Sequence, residues 1–399
     1  MKEGEVKTGE AVLKSEIIRK SFGLKKDILP QLEAAYNSPL IDHIKSNGFQ
    51  YQAGRLTVRL AEEFGFCYGV DRAIDYAYET RSKFPDRRIF LTNEIIHNPR
   101  VNTKLQELGI EFLSREPGQG VTIDDLTQQD VVLIPAFGNP TSELERLQRR
   151  GCVLVDTTCG SVMSVWKRVE SYARDGFTSA IHGKYDHEET LATSSRAKKY
   201  IIIRDREQTR TACGYIEGTV SRERFMQEFR VALSEGFDPE KDLGHLGCAN
   251  QTTMLSSESM EIANMLRESM ARRYGQEEAS RRFRHFDTIC SATQDRQDAV
   301  MKLVRERGVD LMIVVGGYNS SNTGHLVEIS LEHCSAYHVK DAACILSRDV
   351  IQHKKVMTMD IIETRSWLPD GPVRLGVTAG ASTPNRVIEE VIQRIIEVA

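Results

Sequence analysis

From Arg55 onward, short apolar runs alternate with stretches whose apolar positions recur at helical spacing. The runs are RRIFLT, DVVLIPA, FTSAI, YIIIRD, VDLMIVVGG, AYHVKD and VRLGVTAG. Runs this short and this uniformly apolar predict strands buried on both faces. Their alternation with helices predicts parallel βαβ units. Residues 1–55 break the pattern, being charged and only loosely periodic, and are expected to form a short helical extension packed on the core.

Three of the strand-to-helix junctions carry a cysteine. TVRLAEEFGFC ends at Cys67, CVLVDTTC at Cys159 and FRHFDTIC at Cys290. A helical pattern follows each: Val70, Ile74 and Ala77, then Val162, Trp166 and Val169, then Ala299, Val300, Leu303 and Val304. A thiol at a helix amino terminus lies where the macrodipole favours thiolate, the metal-ligating form. Strand ends of open α/β sheets are also where ligands gather. Three such units facing one centre would set three sulfurs around one point, which suits an iron–sulfur cluster with one iron left free. A lone buried cysteine is ordinarily just a small hydrophobe, and these three are far wider apart than the ligands of zinc ribbons or ferredoxins. The repeated context is what separates them from Cys152, Cys213, Cys248, Cys334 and Cys344, which are expected to be structural.

The chain has 399 residues, enough for two or three domains, with 40% hydrophobic and 28% charged residues and a formal net charge of −4. That balance speaks against nucleic acid as a partner. No apolar run approaches the roughly 20 residues of a membrane helix, and the amino terminus lacks the apolar core of a secretory signal. Glu3, Glu5, Glu10 and Glu16 near the start are unlike a plastid transit peptide. A cytoplasmic location is expected, with the plastid stroma as the eukaryotic alternative. Dispersed cysteines in a chain of this kind point to a reducing compartment.

The loops after the strands hold the unusual polar residues. NEIIHNP brings His97, and HGKYDHEETLAT brings His182, His187, Glu188, Glu189 and Thr193. YNSSNTGH brings Asn319, Ser320, Ser321 and Asn322; ASTPNR brings Ser382, Thr383 and Pro384 at a helix start. Hydroxyls and amides at helix amino termini suit a phosphate or diphosphate, although each taken singly is more often a cap.

FGFCYGVDRAI, NEIIHNP, VDTTCG, HEET, NQTTML, DTICSATQDRQ, GGYNSSNTGHL and VTAGASTP, in this order, resemble the 4-hydroxy-3-methylbut-2-enyl diphosphate reductase family over about residues 56–399. The amino-terminal extension and the Ala136-Phe137-Gly138 tripeptide look like its cyanobacterial and plant branch. The resemblance implies an α/β fold of three pseudo-symmetric domains with parallel sheets, a cloverleaf around a central iron–sulfur cluster. The expected division is 1–55 extension, 56–150, 151–288 and 289–375 as the three domains, and 376–399 returning to the first. Residues of about 205–245 match no motif and are expected as a surface elaboration.

The resemblance further implies one [4Fe–4S] cluster on Cys67, Cys159 and Cys290, with the fourth iron open to the substrate's C4 hydroxyl. By the same likeness, His97, Ser320, Ser321, Asn322 and Ser382 would hold the diphosphate. His187, Glu189, Gln251, Thr252 and Thr293 would surround the hydroxyl end, with Glu189, His187 and Thr252 catalytic and Glu189 feeding protons through Thr252. The implied reaction is reductive dehydration to isopentenyl and dimethylallyl diphosphate. Many members carry Ala-His-Gly where this chain has Phe137, so another donor, Asn139 or Lys184, or fewer contacts are expected there.

No Rossmann or flavin motif is present, so electrons must come from an external carrier, ferredoxin or flavodoxin by the resemblance. The basic residues Arg272, Arg273, Arg281, Arg282 and Arg284 are expected to be a solvated helix face balanced by Glu268, Glu277 and Glu278, rather than a docking patch. The oligomeric state is not legible. Two other classes share the three-cysteine pattern: a dehydratase resembling quinolinate synthase, which needs no external electrons, and a non-enzymatic iron–sulfur redox sensor.

Overall fold

The computed structural model describes residues 15–306, 308–356 and 358–399, and the first fourteen residues of the extension lie outside these. Among the described residues three sheets form. The first runs Ile17–Ile18, Val153–Asp156, Val131–Ile134, Ile89–Leu91, Ile110–Phe112, all parallel. The second runs Phe283–His285, Leu246–Asn250, Thr178–His182, Tyr200–Ile203, again all parallel. The third runs Ile361–Arg365, Val350–Lys354, Ser335–Val339, Leu311–Val315, Val373–Ala379, Leu56–Leu60, Gln50–Ala53. Its four central strands are parallel and its outer strands antiparallel. Val131–Ile134, Thr178–His182 and Leu311–Val315 are buried at every position, as strands covered by helices on both faces must be.

The chain crosses between sheets at the three cysteines. Leu56–Leu60, expected to open the first domain, pairs with Val373–Ala379 in the seven-stranded sheet. After Cys67 the helix Tyr68–Lys83 instead packs Val70, Ala73, Ile74 and Ala77 against Ile89, Leu91, Val131 and Leu133 of the five-stranded sheet. Val153–Asp156, expected in the second domain, lies in that five-stranded sheet. After Cys159 the helix Gly160–Arg174 packs Val165, Val169 and Tyr172 with Phe177 and Ala249 beside the four-stranded sheet. Phe283–His285 completes the four-stranded sheet, and after Cys290 the helix Ser291–Glu306 buries Ala299, Val300 and Leu303 against Met312 and Val314 of the seven-stranded one and Leu326 of the helix Ser321–Leu331. Each cysteine therefore sits where a strand of one unit hands over to a helix of the next.

The carboxyl-terminal segment also stays with its own sheet. Helix Asn385–Val398 buries Val387, Ile388, Val391, Ile392 and Ile395 against Leu56, Leu375 and Val377, so this segment packs on the sheet that holds Leu56–Leu60. The described part of the extension is integral. Ile17–Ile18 adds a strand, and the buried Glu79 carboxylate accepts from Ser21 Oγ at 2.9 Å, Phe22 N at 2.7 Å and Leu24 N at 3.1 Å. Ile41 and Ile44 of the helix Pro39–Ser46 join the core of the seven-stranded sheet. The segment 205–245 is not surface decoration: Ala212, Ile216, Phe225, Phe229 and Phe237 form the core over Tyr200–Ile203. Among the described residues no helix is long and apolar enough to cross a membrane.

Candidate active site

A repeated backbone contact brings the cysteines to one place. Cys67 N donates to Ala381 O at 3.2 Å, Cys159 N to Ala136 O at 2.9 Å and Cys290 N to Thr252 O at 3.3 Å. In each case the acceptor lies in the loop after the neighbouring strand of the same sheet, so each sheet presents one cysteine and one adjoining loop at its carboxyl edge. All six residues line a single cavity. The two strands before Cys67 and Cys290 stop short of the cysteine, at Leu60 and His285, and irregular chain spans the gap. All three thiols are free and half-buried.

Gly69 shows how closely two of them approach. A Cβ at this position would lie 2.6 Å from Cys159 Sγ and 3.9 Å from Cys67 Sγ, so only glycine leaves room for the sulfurs. Among the described residues the one trio of potential ligands within 4.8 Å of each other is His97, His187 and Glu188, so the three sulfurs are spaced more widely than that. Thiolates on a single zinc ion at about 2.3 Å would be closer together, and the wider spacing suits a polynuclear cluster. Burial raises the thiol pKa of Cys67, and of Cys290 to about 11. At Cys67 and Cys290 desolvation outweighs the hydrogen bonds from nearby backbone N–H groups, and a bound metal would supply the compensating charge.

Glu189 and Thr252 form the acid–base element. Glu189, at 1% exposure, follows the strand Thr178–His182, and burial raises its carboxyl pKa to about 7 against the opposing hydrogen bonds from Thr252. Its Oε1 accepts from Thr252 N at 2.6 Å and its Oε2 pairs with Thr252 Oγ1 at 3.0 Å. A backbone N–H can only donate, so the acidic proton resides on Oε2, facing a hydroxyl that lines the cavity. His187 caps the helix Glu188–Ser194, its Nδ1 accepting from Glu189 N at 3.1 Å, and burial holds its pKa well below the usual value. Thr293 lies against the cluster side, with Oγ1 3.1 Å from Cys290 Sγ.

Opposite stand the hydroxyls and amides. Ser320 caps the helix Ser321–Leu331 by accepting from Thr323, as its placement predicts for a cap, yet its own hydroxyl proton stays available to the cavity it lines. Asn322 Oδ1 accepts from Ala381 N at 3.0 Å, while its buried Nδ2 has no hydrogen-bond partner. A buried amide donor left without a partner costs about 1–3 kcal/mol, so its presence at the cavity argues for a ligand that offers a hydrogen-bond acceptor there. Ser382 Oγ donates to His97 O at 3.1 Å. His97 and Ser321 complete this side of the lining.

Gln251 is the predicted site residue that the cavity excludes. Its amide spans Thr253 Oγ1 at 2.8 Å and Ser321 Oγ at 3.2 Å, while its Oε1 accepts from Thr190 Oγ1 and Lys184 N, so it clamps loops of two sheets together. Phe137, set aside as a binding residue, lines the cavity and stacks on His97 with centroids 4.3 Å apart. Neither Asn139 nor Lys184 lines the cavity in its place. Sequence reasoning missed Arg296, whose guanidinium reaches Gly65 O at 2.7 Å and Phe66 O at 3.2 Å from the helix after Cys290. Its signal was a charge three and four residues before Ala299 and Val300, on the buried helix face. Glu94 was also missed; it pairs with His97 Nδ1 at 3.1 Å and with Asn319 Nδ2 at 2.9 Å. The five other cysteines lie away from the cavity. The basic residues are paired as expected for a solvated face, Arg272 with Glu217, Arg281 with Glu277 and Arg282 with Glu278, each at 2.7–2.8 Å.

The comparisons agree with this picture. A family model described as LytB protein matches residues 58–396. The chain is 49% identical over 383 residues to the 4-hydroxy-3-methylbut-2-enyl diphosphate reductase of Gloeobacter violaceus, covering 95% of this chain and 92% of that one. It is similar to a solved (E)-4-hydroxy-3-methyl-but-2-enyl diphosphate reductase described as the terminal enzyme of the non-mevalonate pathway, with TM-score 0.50 and 27% identity over 86% of this chain and 99% of that chain. A Plasmodium falciparum reductase structure shares the fold at TM-score 0.62 and 21% identity, over 84% and 86% of the two chains. With the match spanning nearly all of the chain and the cysteine-bearing crossovers in place, this protein belongs to the LytB family of 4-hydroxy-3-methylbut-2-enyl diphosphate reductases.

Proposed function

We propose that this chain converts (E)-4-hydroxy-3-methylbut-2-enyl diphosphate into isopentenyl and dimethylallyl diphosphate by reductive dehydration, the last step of the non-mevalonate pathway. One [4Fe–4S] cluster would be held by Cys67, Cys159 and Cys290. The free thiols, their spacing and the space kept by Gly69 fit such a group. When bound, it supplies electrons and, at the iron without a cysteine, a Lewis acid for the C4 hydroxyl.

The chain's own residues do the rest. Ser320, Asn322, Ser382 and His97 hold the diphosphate through neutral donors and a helix amino terminus, which positions the hydroxyl end toward the sulfurs. Glu189 gives a proton from Oε2 to Thr252 Oγ1, which passes its own proton toward the departing hydroxyl; the raised carboxyl pKa keeps that proton available near neutral pH. Burial keeps His187 uncharged beside this route. Electrons arrive from an external one-electron carrier, ferredoxin or flavodoxin, in the cytoplasm.

The observation that supports this reading most is the single cavity lined by all three cysteines and by the buried Glu189–Thr252 pair. A redox sensor has no use for a carboxylic acid poised near neutrality, and a cluster dehydratase has none for a reductant. Protein reconstituted anaerobically and supplied with reduced methyl viologen should consume the diphosphate substrate and release both products. A fully loaded cluster without reductant-dependent turnover would refute the reading.

A further inference from the structure

The hydrogen bonds around His97 and His187 fix which ring nitrogens carry a proton and which accept. Glu189 N–H can only donate, so His187 Nδ1 accepts. The neutral His187 ring then carries its proton on Nε2, directed at His97 Nε2 from 3.2 Å. His97 Nε2 accepts in turn, which leaves the ring's own proton on Nδ1, 3.1 Å from Glu94 Oε2 and with Asn319 Nδ2 3.2 Å away. Asn319 Nδ2 donates to the same carboxylate oxygen at 2.9 Å. Burial of Glu94 opposes ionisation, but the hydrogen bonds from His97 and Asn319 prevail and keep it a carboxylate. The assignment also rules out a metal on His97, His187 and Glu188, because His187 Nε2 has a proton where a ligand needs a lone pair.

The arrangement leaves His97 presenting a lone pair to the cavity, and an anion cannot accept from a lone pair. A phosphate oxygen can replace His187 at His97 Nε2 only if that nitrogen gains a proton. We propose that diphosphate binding draws one proton from solvent onto His97 Nε2, so that the imidazolium donates to the phosphate there and to Glu94 at Nδ1, with Glu94 the positioning residue that makes the cation favourable. The inference rests on the diphosphate reading above.

The groups facing His97 support the charge. Glu94 lies at Nδ1, and the Glu188 carboxylate lies 3.5 Å from Nε2. The Phe137 ring stacks at 4.3 Å, within the reach of a cation–π contact. His187 is uncharged, and the buried Glu189 stands beyond it. Lys184 is the cation on this side; it acts on His187, and its own pKa is lowered by burial. A phosphate in the cavity adds further negative charge.

The test is calorimetry of isopentenyl diphosphate binding to the cluster-loaded protein in Hepes and in Tris, which differ in ionisation enthalpy. At about pH 8 the ligand is fully ionised, since the second phosphate pKa is about 6. The expected result is close to one proton taken up per ligand. Glu94→Gln, which keeps the shape and the cluster absorbance, should take up less than half as much and bind about tenfold more weakly. Binding without proton uptake, or uptake unchanged in Glu94→Gln, overturns the inference and leaves the diphosphate reading standing. No binding of isopentenyl diphosphate to the loaded protein overturns both.

Discussion

Glu189 owes its role to burial. Removing the carboxylate from water raises its pKa from 4.5 to about 7, so a substantial fraction holds the proton at neutral pH. Because the folded pKa lies above the unfolded one, the associated stability is full below about pH 4.5 and is lost as pH rises through about 7. The loss is up to about 3 kcal/mol by the linkage of pKa to stability. Turnover should therefore decline as pH rises past about 7. Glu189→Gln should keep cluster and substrate binding, turn over about 10²-fold more slowly, the usual scale for a lost positioned acid, and unfold with less dependence on pH in this window. Stopped turnover assays and denaturation at paired pH values check both outcomes. Near-native turnover would mean that protons arrive by another route, with His187 first in line.

At the scale of single residues the sequence was most legible where chemistry repeats. The three cysteines stood out by context, and each indeed lies at a strand-to-helix crossover. A motif position does not tell which way an amide faces, and the polar atoms of Gln251 serve neighbouring loops. Glu94 was silent because an acid in a polar loop has no pattern; only the fold brings it to His97 and Asn319.

At the scale of elements, the loops after Leu311–Val315 and Val373–Ala379 and the start of helix Tyr68–Lys83 carry the load. Asn322 Nδ2 is buried without a partner, so a diphosphate that satisfies it gains a hydrogen bond to charge. Asn322→Ala or Ser382→Ala should cost about 1.5–3 kcal/mol, a ten- to hundredfold loss of affinity for the diphosphate measured by calorimetry. Phe137→His replaces a ring stacked on His97, and affinity should stay level or improve if the new imidazole donates to the ligand. Gly69→Ala would push a methyl group to 2.6 Å from Cys159 Sγ, so cluster content should fall severely while the helix, in which alanine is favoured, stays folded by circular dichroism. Unchanged cluster content in this variant would show that the sulfurs meet elsewhere. The strands were readable because parallel strands under helices are uniformly apolar. The segment 205–245 was not, because its buried Ala212, Ile216, Phe225 and Phe229 are diluted by Arg and Glu on short helices.

At the scale of the molecule, three sheets meet at the carboxyl ends of their strands, and the chain passes from one to the next at each cysteine. Apolar periodicity reports that a strand is buried, not which sheet it joins. Leu56–Leu60 and Val153–Asp156 each pair in one sheet while the helix that follows packs on another. The handover explains why widely separated cysteines converge: each belongs to the seam between two units, and the seams share one centre. The central claim is that this centre holds one [4Fe–4S] cluster on Cys67, Cys159 and Cys290. The direct measurement is iron and acid-labile sulfide content with EPR on anaerobically purified protein, alongside serine variants of each cysteine. The account predicts equal iron and sulfide, close to one cluster per chain, with severe loss in Cys67→Ser, Cys159→Ser and Cys290→Ser and none in Cys152→Ser. Zinc without labile sulfide, or loss of cluster in Cys152→Ser alone, would contradict it.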